Sequence, residues 1–454
     1  MTLVPRHSLA LLVALGASPV VVALPSQPAA ARQLTLAQAL EAAQRASPDV
    51  RSAREALDAA AARVRQAGAY ANPTFIYGRE QTSASGQSNS QNTAAIEQRL
   101  ELGGVRAARI DAARLRRDAA EDRLAAAEAH LAYETTRAYA LAAASDRRAQ
   151  LAEQAAAAFG QATGISERRL AAGDVSGYAH RRIRLEAARY ATVRAEALLA
   201  RRSARLTLAA LVSPTPDSMS LDLELSDSLP LAVAALARTM GAIPNDSAVK
   251  PLLDSLARVA LRLRPDLHAA DREAAAAHAD ARMAVRERIP VPALLLGFKN
   301  ENVASSPGQA TGFIAGLSVP LPLWDHRAGA IAAGDAESRR RVAEVDALQR
   351  RVVREVAEAY DAYRALALQL ETLGPQLGPE ARAAMHAAQI AYAEGEITLV
   401  EWLDAVRAYQ EVESSFASLR AEALIRRAAL ERAVGAPIFS LTIPRGGASA
   451  PAKD

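Results

Sequence analysis

The sequence predicts a mainly α-helical chain with a small β part, built from one helix–strand–strand–helix–helix unit used twice. Three observations predict it. The first is a long run, Val105 to about Ala171, with no proline and glycine only at Gly160 and Gly164. At 1.5 Å per residue, about 67 residues make roughly 100 Å of helix, far more than a globular domain needs. The second is a pair of similar breaks, RLAAGDVSGYAHRR at Arg169–Arg182 and AYAEGEITLVEWLDA at Ala391–Ala405, which align at a separation of 222 positions. Gly173 matches Gly395, and Ser176 matches Thr398; glycine can take φ > 0 and close a helix, and the hydroxyl can cap the next one. The third is apolar–polar alternation within 74–102 and again within 293–321. Two hairpin tips in equivalent places mean a duplicated chain.

Composition fits long helices at close range. Hydrophobic residues are 50% of the chain and aromatics 4%, with alanine dominant. Small side chains cannot fill a wide core, but they let helix axes approach. The net charge is +4 and the pI about 9.5. Arginine supplies nearly all the positive charge, since Lys250, Lys299 and Lys453 are the only lysines. Acids interleave with the arginines, as in LRRDAAEDR at 115–123, which reads as a solvated helix face rather than the one-sided basic patch with aromatics that nucleic acid requires. The absence of cysteine excludes disulfides, thiolate metal sites and a lipid-bearing cysteine.

Residues 1–31 read as a signal peptide: Arg6 and His7 precede an apolar run, Leu9–Leu24, and Ala29-Ala30-Ala31 offers a cleavage site. No later segment reaches the roughly 18 apolar residues of a membrane helix. The first repeat is expected over 32–212. Its opening helix, Leu34–Ala69, has a helix start at Ser47-Pro48-Asp49. Strands are expected at Thr74–Gln81 and Thr93–Leu102, with the polar SASGQSNSQN (83–92) as their loop and Gly103-Gly104 as the corner into the long helix. A return helix follows the Gly173 tip to about Val212. The segment 213–262 reads as a linker, with a short strand at Leu221–Leu225. The second repeat, 263–439, opens at Arg264-Pro265-Asp266-Leu267, which matches Ser47–Val50 at a separation of 217. Strands are expected at Ala293–Glu301 and Thr311–Leu321. Arg106 and Arg327 correspond at a separation of 221. A helix from Ala328 to Glu394 is broken or kinked at Gly374-Pro375 and Gly378-Pro379. The return helix is Leu399–Val434, and 440–454 reads as a flexible tail.

Strands of nine to eleven residues, apolar on one face and polar on the other, are long enough to line a membrane barrel. Four strands cannot close one, and an open edge is forbidden in hydrocarbon, so several chains must share the barrel. The alternative is an exported periplasmic coiled-coil protein with two small soluble hairpins that binds partners and conducts nothing.

The two tips, AAGDVSGY and AYAEGEITLVEWLDA, and the corners EQRLELGGVRAAR and LSVPLPLWDHRAGAI resemble those of the TolC-type outer-membrane efflux family, over nearly the whole chain from Leu34 to Phe439. The GGxR corner resembles the branch serving cobalt–zinc–cadmium exporters of the RND class. The resemblance implies a homotrimer in which a 12-stranded outer-membrane β-barrel continues as a periplasmic α-helical barrel, with 213–262 as its equatorial segment. It implies a passive exit duct meeting a periplasmic adaptor protein and an inner-membrane RND-type pump, with metal cations as one class of cargo. Family members often carry an N-terminal lipidated cysteine; this chain has none, so anchoring would rest on the barrel.

The resemblance also places an acidic constriction on Glu401 and Asp404, which stand i,i+3 on the return helix. Three chains would gather about six carboxylates there, crowded enough to resist ionising and to attract cations. The first repeat has Ala179 and Arg182 instead. The competing reading makes both acids ordinary solvated residues near a turn. The adaptor would meet the tips at Arg169, Leu170, Gly173, Ser176, Gly395, Thr398 and Leu399. His130, His180, His268, His278, His326 and His386 are scattered without ligand spacing, so no metal site is expected. Trp324 fits an interfacial belt, and Trp402 fits packing between helices. No P-loop, dinucleotide turn or nucleophile–base set is present, so neither catalysis nor a cofactor is expected.

Overall fold

The computed structural model describes residues 34–84, 87–213, 246–302, 308–373 and 377–437. Helices α1 (Leu36–Ala46) and α2 (Pro48–Gly68) meet at Ser47, whose hydroxyl accepts from Val50 N at 3.3 Å while Pro48 occupies the first helical position. The helix start expected at Ser47-Pro48-Asp49 thus divides the opening helical stretch into a jointed pair. Strands β1 (Thr74–Ala84) and β2 (Gln87–Arg99) lead through the Gly103-Gly104 corner into α3 (Val105–Ala171), one unbroken helix of 67 residues. After the first tip, α4 (Gly177–Val212) returns.

Helix α5 (Asp246–Leu263) occupies the end of the segment read as linker. Its Leu256 and Ala260 are buried against Val352, Val356 and Tyr360, which explains why this part folds despite Pro251. The Leu221–Leu225 strand lies outside the described residues. Helix α6 (Pro265–Arg286) precedes strands β3 (Ala293–Asn302) and β4 (Gln309–Ser318). Three helices follow: α7 (Ala328–Leu373), α8 (Leu377–Glu394) and α9 (Leu399–Val434). Gly378-Pro379 falls in the first turn of α8, where proline is tolerated, so it starts a helix rather than kinking one. Gly374-Pro375 lies outside the described residues.

The two hairpins form one antiparallel sheet in the order β1-β2-β3-β4. Register places Phe75, Ile96, Leu296 and Ala315 in one row across the sheet and Tyr77, Ala94, Phe298 and Phe313 in the row beside it. Both rows share one face, because residues two apart on a strand point the same way. That face is exposed: Phe313 keeps 80% and Phe298 71% of its surface. The ladder also runs through the polar stretch expected as a loop, pairing Arg79 with Asn92 and Ser83 with Ser88. Strand pairing satisfies the backbone whatever the side chains are, so a polar sequence did not end the strand. Conversely, β2 stops at Arg99 and β4 at Ser318, and Leu100–Leu102 and Val319–Leu321 belong to the corners.

The corners also differ from expectation. The residue before each long helix is left-handed: Gly104 at φ 75° and Arg327 at φ 61°. They are equivalent positions, whereas Arg106 and Arg327 are not. Arg106 donates to Gly68 O at 2.8 Å, and Arg327 pairs with Glu287 at 2.6 Å.

The buried residues are chiefly alanines along α3, α6 and α9, including Ala140, Ala149, Ala276 and Ala279. Arg264, before α6, joins Asp266 at 2.6 Å and Glu355 at 2.5 Å. Among the described residues no helix is long and apolar enough to cross a membrane.

Candidate functional site: the paired hairpin tips

Both tips use the same backbone device. After α3, Gly173 at φ +84° lets Asp174 N reach back to Arg169 O at 2.9 Å; Ser176 then caps α4 by accepting from Ala179 N at 3.2 Å. After α8, Gly395 at φ +79° lets Glu396 N reach Ala391 O at 2.8 Å, and Thr398 caps α9 by accepting from Glu401 N at 3.3 Å. An αL residue just past the helix end is where glycine loses nothing and other residues are strained.

The two hairpins are bound to each other by a small core. Ala155, Phe159 and Ala162 of α3 and Ile183 and Tyr190 of α4 pack with Leu399, Leu403 and Val406 of α9. Phe159 stacks on Tyr190 at 4.3 Å, and Trp402 stacks on Tyr392 at 5.2 Å. The expected packing role of Trp402 therefore has a named partner. His180 is buried against Ser166, with Nδ1 2.9 Å from Oγ. Around this core Arg407 reaches Glu186 at 3.2 Å and Asp404 at 3.4 Å, and Arg147 reaches Glu413 at 2.8 Å.

The two candidate acids have distinct local settings. Glu401 closes a capping box: its Oε2 accepts from Thr398 N at 2.7 Å and from the Thr398 hydroxyl at 2.8 Å. The backbone N–H and then the hydroxyl of Thr398 hold its carboxyl below the usual range. Within one chain this is opposite to the suppressed ionisation expected from crowding. Asp404 is exposed but partnered by Arg407. Sequence reasoning missed Arg407, Glu186, Phe159 and Tyr190. The i,i+3 pair Asp404/Arg407 was readable; the cross-hairpin partners, more than 200 positions away, were not. Trp324 stands 90% exposed in the corner between β4 and α7. Among the described residues no three His, Asp or Glu side chains converge as metal ligands.

The sheet, the long helices and the twin tips have counterparts in known proteins. The chain is 25% identical over 378 residues to the cobalt-zinc-cadmium resistance protein CzcC of Cupriavidus metallidurans, covering 83% of this chain and 84% of that one. A membrane protein from Pseudomonas aeruginosa has the same fold at 20% identity and a TM-score of 0.69, over 88% of this chain and 92% of that one. The Campylobacter jejuni CmeC outer membrane channel has it at 14% identity and a TM-score of 0.68, over 88% and 86%. The outer membrane efflux protein family, whose members are passive channels rather than enzymes, matches over residues 29–211 and again over 256–436, so both halves of the duplicated unit carry its pattern and the chain belongs to that family.

Proposed function

We propose that this chain is the exit duct of a tripartite exporter, with three copies closing a 12-stranded barrel in the outer membrane. The observation that carries this reading is the four-stranded sheet with two open edges and an exposed apolar face, continued by a helix of 67 residues. Hydrocarbon tolerates no open edge, so each copy's β4 edge meets the next copy's β1 edge. In this arrangement the repeats 32–212 and 263–439 each supply a hairpin and a helix pair, and 213–262 lies at the equator of the tunnel. The helices descend into the periplasm, where the tips meet an adaptor protein that joins the duct to an inner-membrane RND-type pump. Arg169, Leu170, Gly173, Ser176, Gly395 and Thr398 form the adaptor contact; Leu399, expected among them, is instead buried in the core between the hairpins.

Glu401 and Asp404 of the three copies ring the constriction and favour cations. The capping box favours the ionised form of Glu401, and Arg407 tethers Asp404 to the first hairpin through Glu186. The likeness to CzcC, a cobalt-zinc-cadmium resistance protein, supports divalent metal cations as cargo. The test is resistance in cells. Restoring the gene to a strain lacking it should restore growth in zinc, cobalt or cadmium. Gly395→Pro should remove that resistance while detergent extracts still yield trimer. Unchanged resistance in Gly395→Pro refutes the tip assignment, and a stable soluble monomer without detergent refutes the barrel.

A further inference from the structure

The two tips share a backbone but carry opposite charge. The segment 167–185 holds five arginines against two acids, and its counterpart 389–407 holds four acids against one arginine. That one, Arg407, is committed to Glu186 and Asp404. In the first tip, Arg168, Arg169, Arg181 and Arg182 are all exposed and make no side-chain hydrogen bond or ion pair among the described residues. Elsewhere arginines such as Arg116, Arg123, Arg205 and Arg264 are drawn into pairs across helices. The same surface exposes apolar anchors: Tyr178 at 73% and Leu185 at 72%. They lie seven residues apart on α4, two helical turns along one side. Nothing lies within 4 Å of where a Gly173 side chain would begin, so the turn itself is open to approach. Tyrosine and arginine around a few apolar contacts is the composition of a protein-binding hot spot.

We infer that the first-repeat tip is the part of the docking surface that recognises an acidic surface of the partner protein, while the second-repeat tip also serves the constriction. The inference rests on the tips being the adaptor contact. It adds that recognition by charge belongs to the first tip and that the partner surface meeting it is rich in Glu or Asp. A four-arginine patch without internal partners raises the potential that an acidic surface meets, which speeds association and selects against basic partners. The duplicated backbone thus carries two tasks separated by charge: arginines turned to the partner, carboxylates to the cargo.

The test uses the full chain purified in detergent and a synthetic antiparallel helical hairpin whose turn carries four glutamates. Matched hairpins carry four glutamines or four lysines there. The glutamate hairpin should bind at least about tenfold more tightly than the glutamine one at low salt, with the advantage shrinking as salt is raised. Arg168→Ser/Arg169→Ser/Arg181→Ser/Arg182→Ser should abolish that advantage, and Arg201→Ser/Arg202→Ser, a basic pair far up α4, should retain it. Equal binding of all three hairpins overturns the inference. So does an advantage that survives the tip variant. So does a tip variant whose oligomer falls apart, because the arginines would then serve the acidic tip of a neighbouring copy. Conductance recorded on the same preparations separates the two levels: loss of hairpin binding with conductance intact leaves the duct standing, and hairpin binding without conductance removes the duct alone.

Discussion

Replacing Phe159 with alanine should uncouple the two tips. Phe159 has no exposed surface, lies in the core shared by α3, α4 and α9, and stacks on Tyr190 at 4.3 Å. Truncating a fully buried phenylalanine costs about 3–5 kcal/mol, part of it the aromatic stack. Because this core is small and far along α3 from the sheet, the loss falls on local opening of the tips rather than on global unfolding. At 1.4 kcal/mol per factor of ten, that opening becomes roughly 150- to 4,000-fold more populated. Amide hydrogen exchange reads it directly: Leu403 to Val406, on the opposite hairpin, should exchange faster by that factor, while amides of α6 should not change. Tyr190→Phe, which keeps the stack, serves as control. An acceleration below about tenfold at Leu403–Val406 refutes the claim that this core joins the repeats.

Three further outcomes follow from other parts of the fold. A side chain at Gly297 would start 2.4 Å from Ala94 O and 2.6 Å from Ala95 Cβ, so Gly297→Ala should strain the β2–β3 seam by about 1–3 kcal/mol. It should lower the temperature at which the detergent oligomer dissociates, whereas Gly312→Ala, with nothing within 4 Å, should not. Trp324, exposed where Trp402 is stacked on Tyr392, should be quenched by lipids brominated near the headgroup more than by lipids brominated deep in the chains; emission insensitive to both would refute its place at the membrane edge. Burial pushes the Asp266 carboxyl up, but the Arg264 hydrogen bonds outweigh it and hold the group below its usual value. A carboxylate depressed in the folded state stabilises above its unfolded pKa of about 3.9 and loses that contribution as pH falls further, through its folded value. Thermal stability should therefore drop below about pH 4, and Arg264→Met should cost about 2 kcal/mol at neutral pH and flatten that drop; an unchanged acid limb in the variant refutes the assignment.

The long helices were legible because their sequences leave few alternatives. Val105–Ala171 contains no proline and Leu399–Val434 contains neither proline nor glycine, so the boundaries fall where the tip glycines and caps put them. The strand ends were not legible. Residues 83–92 are Ser, Asn, Gln, Gly and Ala, which read as a loop, yet Thr82 pairs with Asn89 and Gln91 with Glu301, because a ladder with water beside it needs no apolar side chains. Helix α5 was hidden by Pro251 and by the linker-like residues before it, although Leu252, Leu256 and Val259 have helical spacing. At the tips the turn chemistry was legible in Gly173, Ser176, Gly395 and Thr398. The double use of Glu401, as cap and as candidate gate, was written in the Thr398-x-x-Glu401 spacing but became clear only with the geometry. Arg407 and Glu186 meet across 221 positions of sequence, a distance over which no local pattern reports contact.

Single-channel recording in a planar bilayer, comparing the mature protein with Glu401→Gln/Asp404→Asn, tests the duct most directly. The expected result is a small cation-selective conductance in the parent protein that rises or loses its selectivity in the double variant. A well-folded oligomer that passes no current in either form contradicts it.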